Sequence, residues 1–436
     1  MSKNTTPNNA PNSQPLHTRR NALKGMAALA TVQILPSHIA LAGPKAPSNQ
    51  LTKGIIGCGG ISSSHLGMPG KLLALCDVDS QRLNQRKAQA AKRGEKDVTG
   101  YSDFRELIAR KDIDIVHVAT PPHWHAFQAI AAVKAGKDVW CEKPMSRTIG
   151  EGIAMVKAVE KYKRIFRLNT WFRFRGNYYG LGRPASEAWK VVHHKLLGDG
   201  PYTFNLGTGF VGNWKLKQWS GRTDLKKQDV PKHLDYNFWL GPAPMKDYHP
   251  HRVHGSFRGY WDYDGGGLGD MGQHYLDPCQ FVLGKDNESP IHVEVDTQKQ
   301  HHDAVLPWRR IELTYADGTK IILDASNKPK EPIISGPKGN IYRGFKSDVD
   351  GLDKKLKELP GPPPMVTDFH QAVRERKQFA LNQRNGFRSS TIINIGKIAL
   401  RLGKPLHFDS KKLQFKGNAE ANKLINQPIR GNWKLS

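Results

Sequence analysis

Residues 51–62 read Leu51-Thr52-Lys53-Gly54-Ile55-Ile56-Gly57-Cys58-Gly59-Gly60-Ile61-Ser62. An apolar run that ends in a glycine-rich turn and passes into a helix start is the arrangement that cradles a dinucleotide. Gly57 permits the tight turn. Gly59 lets the backbone approach a pyrophosphate, and the amides that open the following helix meet its charge. Ser62 stands where a third glycine is usual and is small enough for close helix–strand packing. Gly57, Gly59, Gly60 and Ile61 are therefore candidate cofactor-binding residues.

The pattern extends outward from this turn. Pro69-Gly70 stops the first helix after at most two turns. Lys71 to Cys76 forms a second apolar strand ending at Asp77, twenty residues after Gly57. A carboxylate there accepts hydrogen bonds from ribose hydroxyls and repels a 2′-phosphate, which favours NAD over NADP, although Arg82 nearby tempers that preference. Asp77 also suits an N-cap for the helix beginning at Ser80. Alternation continues with helices over 80–94, 101–110 (capped by Ser102), 125–135 and 149–161, and strands over 113–119, 138–141 and 164–168. This repetition predicts a doubly wound parallel sheet with ligands at the carboxyl ends of its strands. Those ends carry Thr120, Pro121, His125, Glu142 and Lys143.

The chain has 436 residues, 38% hydrophobic and 24% charged, with a net charge of +27. That composition excludes wholesale disorder and a multi-span membrane protein, and the length fits two domains. Residues 1–17 are rich in Asn, Pro and Ser. Arg19-Arg20, a weakly apolar run from Met26 to about Leu35 and Ala40-Leu41-Ala42 follow the three-part plan of an export signal. The paired arginines point to the twin-arginine route and a periplasmic destination. Residues 43–50 read as a linker. Removing residues 1–42 takes away four basic residues and no acid, leaving +23. Such charge points to anionic surroundings or an acidic or sulfated sugar. No nucleic-acid motif accompanies it. Cys58, Cys76, Cys141 and Cys279 are too scattered for a metal or disulfide pattern.

In Gly57–Ser62, Cys76-Asp77-Val78-Asp79, Ala119-Thr120-Pro121-Pro122-His123-Trp124-His125, Glu142-Lys143-Pro144 and Gly265-Gly266-Gly267-Leu268-Gly269-Asp270-Met271-Gly272-Gln273-His274, the sequence resembles the Gfo/Idh/MocA oxidoreductases. The resemblance covers nearly all of residues 51–405. It implies an α/β fold: a Rossmann domain over 51–168, then an α+β domain over 169–436 whose mostly antiparallel, open-faced sheet lines the substrate cleft. It also implies a sugar substrate, NAD as cofactor, no metal, and a homo-oligomer formed through that sheet; together with the export signal, it implies NAD that is loaded before export and stays bound. The export signal makes the chain look like the secreted branch of glycan-degrading bacteria.

The residues carry this chemistry without the name. Pro144 holds Lys143 in an extended conformation at a strand end, toward the nicotinamide. Asp270 and His274 are four apart, so on a helix they share a face. His274 exchanges a proton near neutral pH, and Asp270 orients it or binds a second hydroxyl. Lys143, Asp270 and His274 are thus the catalytic candidates. Asn169, Trp171 and Arg173 follow the last strand of the first domain toward the cleft. Trp261 and Tyr263 suit either sugar stacking or core. His249, His251, His254, His301 and His302 match no tight zinc spacing. Strands over 291–295, 308–315 and 319–324, the last two joined at Asp317-Gly318, predict the second sheet. Helices over 367–374 and 389–402 return to the first domain. The expected reaction is hydride transfer between NAD and a sugar. The alternative is a glycosidase that oxidises, eliminates, hydrates and reduces in one cycle.

Overall fold

Thr52–Ile56 (β1) and Lys71–Cys76 (β2) run parallel, with Ile55 opposite Leu75 and Ile56 opposite Cys76. The computed structural model describes residues 50–178, 180–207, 219–326 and 330–435. Residues 18–42, read above as an export signal, lie outside the described residues. Thr99–Tyr101 (β3), Ile115–Val118 (β4), Asp138–Glu142 (β5) and Phe166–Asn169 (β6) complete a parallel six-stranded sheet in the order β3-β2-β1-β4-β5-β6. Strands β4 and β5 are buried along their whole length, as a sheet covered on both faces requires.

The intervening helices are Ser62–Leu66 (α1), Ser80–Lys92 (α2), Phe104–Ala109 (α3), Pro122–Lys134 (α4) and Ile149–Lys161 (α5). Two starts differ from the sequence reading. Helix α4 begins at Pro122 rather than His125, because Pro121 is extended and Pro122 fits the first helical position. Helix α3 begins after the cap Asp103, and Tyr101 belongs instead to the short strand β3. The cap of α2 is Asp79, whose carboxylate accepts from the Gln81 and Arg82 amides. Asp77 is thereby left for the site.

The second sheet is formed by Thr203–Asn205 (β7), His292–Thr297 (β8), Trp308–Thr314 (β9), Lys320–Asp324 (β10), Ile334–Gly336 (β11), Gly339–Ile341 (β12), Leu406–Asp409 (β13) and Gln414–Phe415 (β14). Its order is β12-β11-β7-β10-β9-β8-β13-β14, and every pairing is antiparallel except β7 with β10. Around it lie Ala185–His193 (α6), Tyr236–Leu240 (α7), Gly266–Val282 (α8), Leu352–Glu358 (α9), Phe369–Glu375 (α10), Gln383–Leu402 (α11) and Ala419–Lys423 (α12).

Helix α11 starts six residues earlier than its periodicity indicates, under an Asn382 cap. It packs on α5 of the first sheet's layer and on α8 beneath the second sheet. Residues Leu51–Ser436 form one compact unit. Its main apolar cluster runs without a break from Ile115 and Val139 to Ile311 and Leu323.

Candidate functional site

The strand order reverses between β1 and β4, and Gly57 sits at that crevice with φ +94°. A Cβ on Gly57 would stand 2.7 Å from the Ala119 carbonyl, so the turn closes only with glycine. Gly59 and Gly60 are the opposite case. A Cβ on either would meet nothing within 4 Å, which leaves an open cradle. That cradle forms one wall of a cavity of about 310 Å³ lined also by Ile61, Asp77, Thr120, Pro121, Glu142 and Lys143. Ile61 is 43% exposed there, an apolar surface that a bound group would cover. The residues present therefore fit a dinucleotide.

The Asp77 carboxylate accepts from the Cys58 amide at 2.6 Å and the Asp79 amide at 2.9 Å. It thus ties the end of β2 to the glycine turn while lining the cavity. Burial pushes its pKa up, against the pull of those two amides.

At the other end, the Lys143 ammonium donates to Asp270 Oδ1 and to the Asp270 carbonyl, both at 2.8 Å. Arg258 Nε lies 2.8 Å from the same carboxylate oxygen. Burial opposes ionisation of Asp270, but these two cations overcome it and hold its pKa down at about 2. Asp270 therefore serves Lys143 rather than His274, which corrects the orienting role expected for it. His274 Nδ1 pairs with Thr170 Oγ1 at 2.8 Å, and its ring packs against Trp171, which is 37% exposed. Among the described residues its Nε2 has no partner. Burial, reinforced by the Lys143 charge, lowers the His274 pKa to about 3, so the imidazole is neutral at ordinary pH and does not titrate near neutrality as its sequence position suggests. Helix α8, entered through Gly265–Gly267, presents both Asp270 and His274.

Behind Lys143 lies a row that no local spacing reveals. Asn169 Nδ2 donates to Glu142 Oε1, His65 Nε2 lies 2.8 Å from the same oxygen, and His65 Nδ1 lies 2.8 Å from His117 Nδ1. Burial disfavours the Glu142 anion, yet the His65 hydrogen bond and the Lys143 charge keep its pKa below the usual range. With Glu142 ionised, His65 Nε2 donates to it.

Another carboxylate, Asp264, lines the cavity beside Asp270. Burial and the neighbouring Asp270 raise its pKa to about 7. Its Oδ1 makes no hydrogen bond.

Other expected site residues are placed elsewhere. His125 is fully buried and bridges the Thr120 and Pro144 carbonyls at 2.8 and 2.7 Å, so it braces two cavity loops and does not touch the cavity. Arg173 is not a substrate contact, because its guanidinium is consumed by Asp277 and Asp286 in the interior. Trp261 is not one either: it is 1% exposed and donates to the His301 carbonyl. Asn169 acts behind the site, on Glu142. Arg258 and Asp264 were missed, and Arg258 lies in a stretch without periodicity. Among the described residues no group of His, Cys, Asp and Glu is arranged to hold a metal, and no helix is long and apolar enough to cross a membrane.

Comparison with known proteins agrees with this geometry. Residues 51–170 match the description "Oxidoreductase family, NAD-binding Rossmann fold", and residues 181–435 match "Oxidoreductase family, C-terminal alpha/beta domain". A levoglucosan dehydrogenase of Pseudarthrobacter phenanthrenivorans is 38% identical over 245 residues, 54% of this chain and 52% of that one. A glycosyl hydrolase family 109 protein of Saccharopolyspora erythraea is 35% identical over 205 residues, 44% of this chain and 42% of that one. The chain thus spans about half the length of these relatives. In fold it is similar to the WlbA dehydrogenase of Bordetella pertussis, solved with NADH and UDP-GlcNAcA, at a TM-score of 0.55 and 18% identity over 83% of this chain and 99% of that one. The glycine cradle at the switch point, the lysine at the end of β5 and the two matched domains place the chain in the Gfo/Idh/MocA oxidoreductase family.

Proposed function

We propose that the protein transfers hydride between NAD and a secondary alcohol carbon of a sugar or cyclic polyol. The observation that carries this reading is Lys143, fixed by Asp270 at the end of the nucleotide cavity, within electrostatic reach of the neutral His274. Lys143 donates a hydrogen bond to the reacting oxygen. His274 Nε2 takes the hydroxyl proton during oxidation and returns it during reduction. Bound NAD supplies the hydride acceptor. The exposed ring of Trp171 beside His274 offers a stacking face for a sugar ring. Levoglucosan, inositols and N-acetylhexosaminides incubated with the protein and NAD, with NADH followed by absorbance, test this. No NADH with any of them, and no release of an aglycone, would overturn it.

The glycosidase cycle is the second reading, favoured by relatives named glycosyl hydrolase family 109 proteins. It returns NAD to its starting state, so aglycone release without NADH accumulation separates the two.

The arginine pair at 19–20 and the apolar run after it support export to the periplasm, where free NAD is scarce. A cofactor loaded before export then has to stay bound, and the hydride taken from one sugar has to be returned to a second sugar or to the product, so that NADH builds up only where no acceptor is supplied. Turnover after exhaustive dialysis, without added nucleotide, is the expected result. The basic charge further supports an acidic or sulfated sugar, and the half-exposed positions Glu312 and Ile322, which alternate with buried ones on β9 and β10, support pairing of two copies through the second sheet.

A further inference from the structure

Helix α7 comes from the second half of the sequence, yet it walls the nucleotide cavity. Phe238 and Trp239 line that cavity together with Phe104 and Trp124, on the side of Asp77 and Val78. The chain leading into α7 is hydrogen-bonded to the loop after Asp77. The Ser80 amide donates to the His233 carbonyl at 2.9 Å, and the Asp235 amide donates to the Val78 carbonyl at 3.0 Å. Trp124 Nε1 donates to the Trp239 carbonyl at 2.9 Å. Five residues are too few to hold a helix by themselves, so the position of α7 depends on its neighbours.

Its outer side is held by a segment almost two hundred residues away. Arg430 donates from Nε to the Gly241 and Ala243 carbonyls at 3.0 and 3.1 Å, and from its two terminal nitrogens to the Asn237 side chain and carbonyl, both at 2.7 Å. Its own amide donates to the Pro242 carbonyl at 2.9 Å. A guanidinium at a helix carboxyl end satisfies carbonyls and opposes the helix dipole. The Trp433 ring stacks on Phe238 at 5.8 Å and meets Trp124 edge-on at 4.8 Å. Neither Arg430 nor Trp433 lines the cavity.

We infer that Arg430 and Trp433 clamp α7 over the nucleotide and so set how long the cofactor stays bound. The inference rests on NAD occupying this cavity. Release requires α7 to lift, and lifting it breaks the Arg430 hydrogen bonds and separates the Trp433 ring from Phe238. Arg430 and Trp433 are positioning residues, acting through Asn237 and Phe238.

The test loads the full chain with NADH, mixes it with excess NAD and follows loss of nicotinamide fluorescence by stopped flow. Arg430→Ala and Trp433→Ala should each release NADH about tenfold faster or more, with the association rate changed by less than about threefold. Trp433→Phe should fall between. Release within about twofold of the unsubstituted rate in both alanine variants would overturn the clamp. Hydrogen exchange on the unsubstituted chain is independent of whether the variants fold. NADH should slow exchange over 234–241 and 430–433 together, and protection limited to 234–241 counts against the clamp. An unsubstituted chain that binds no NADH overturns the cofactor reading, and the clamp with it.

Discussion

Lys143 and His274 divide the work by charge. Lys143 stays beside a carboxylate whose pKa is held at about 2, so that partner remains an anion throughout the working range. His274 stays neutral, which keeps a lone pair on its ring for the substrate hydroxyl. Lys143→Ala and His274→Ala should each lower turnover by ~100-fold or more. His274→Ala should leave NADH affinity, measured by fluorescence titration, nearly unchanged. Full activity in both variants would mean that the two side chains serve packing alone. Asp77 acts at the opposite end. Asp77→Ala should narrow the preference for NAD over NADP by ~1–3 kcal/mol, read by titrating both cofactors. Tighter NADP binding by the unsubstituted protein would contradict the role given to Asp77.

At the level of elements, the entry to α8 explains its own glycines. A Cβ on Gly269 would stand 2.0 Å from Asp264 Oδ1, and one on Gly265 would stand 2.6 Å from Lys397 Cε of α11. The turn is glycine-rich because a buried carboxylate and a buried lysine press against it. Gly269→Ala should cost ~1–3 kcal/mol by overpacking. Adding Asp264→Ala should recover part of that loss, since the two substitutions share one contact. Denaturant titration of the single and double variants reads this directly.

The same elements show what the sequence made legible. The glycine turn, Asp77, Lys143 and the Asp270–His274 pair are local patterns, each set by spacing along one strand or helix. The Glu142–His65–His117 row joins α1, β4 and β5, and Arg258 reaches Asp270 from the short 3-10 turn Ser256–Gly259. Such contacts depend on which strands become neighbours, and no period in the chain encodes that. Arg173 and Trp261 were misplaced for the same reason. Their partners Asp277, Asp286 and His301 lie far along the chain.

For the whole molecule, buried histidines set the acid limit. Burial is the leading cause that lowers His123 and His274 to about 3 and His254 and His370 to about 4. The unfolded chain takes up these protons near the ordinary histidine value of about 6.5, whereas the folded chain refuses them until the lower values. Between those limits the unfolded state binds more protons, so stability falls as pH falls. Asp264, raised to about 7, works the other way, as do Asp77, Asp138 and Asp277, which burial also raises, but the lowered histidines, His117 and His125 among them, outnumber these carboxyls. The melting temperature should therefore be lower at about pH 5 than at about pH 7 by calorimetry, and the reverse order would contradict this balance. The basic charge of +27 adds a second expectation. Turnover of a uronate or sulfated sugar should fall as salt rises, because screening shortens the reach of the attraction. A neutral sugar used equally well, with no salt dependence, would remove the reason for an acidic substrate.

Helix α11 belongs to neither sheet alone. Its residues lie against α5 on one side and α8 on the other, and the Leu381 carbonyl just before it accepts from the Leu168 amide of β6. A nucleotide-binding half excised at residue 170 would lose this cover and expose an apolar flank along α5. Grafting that half onto another substrate module would therefore have to carry α11 along. The two halves are evolutionary modules but not interchangeable parts, and on heating they should melt as a single cooperative block.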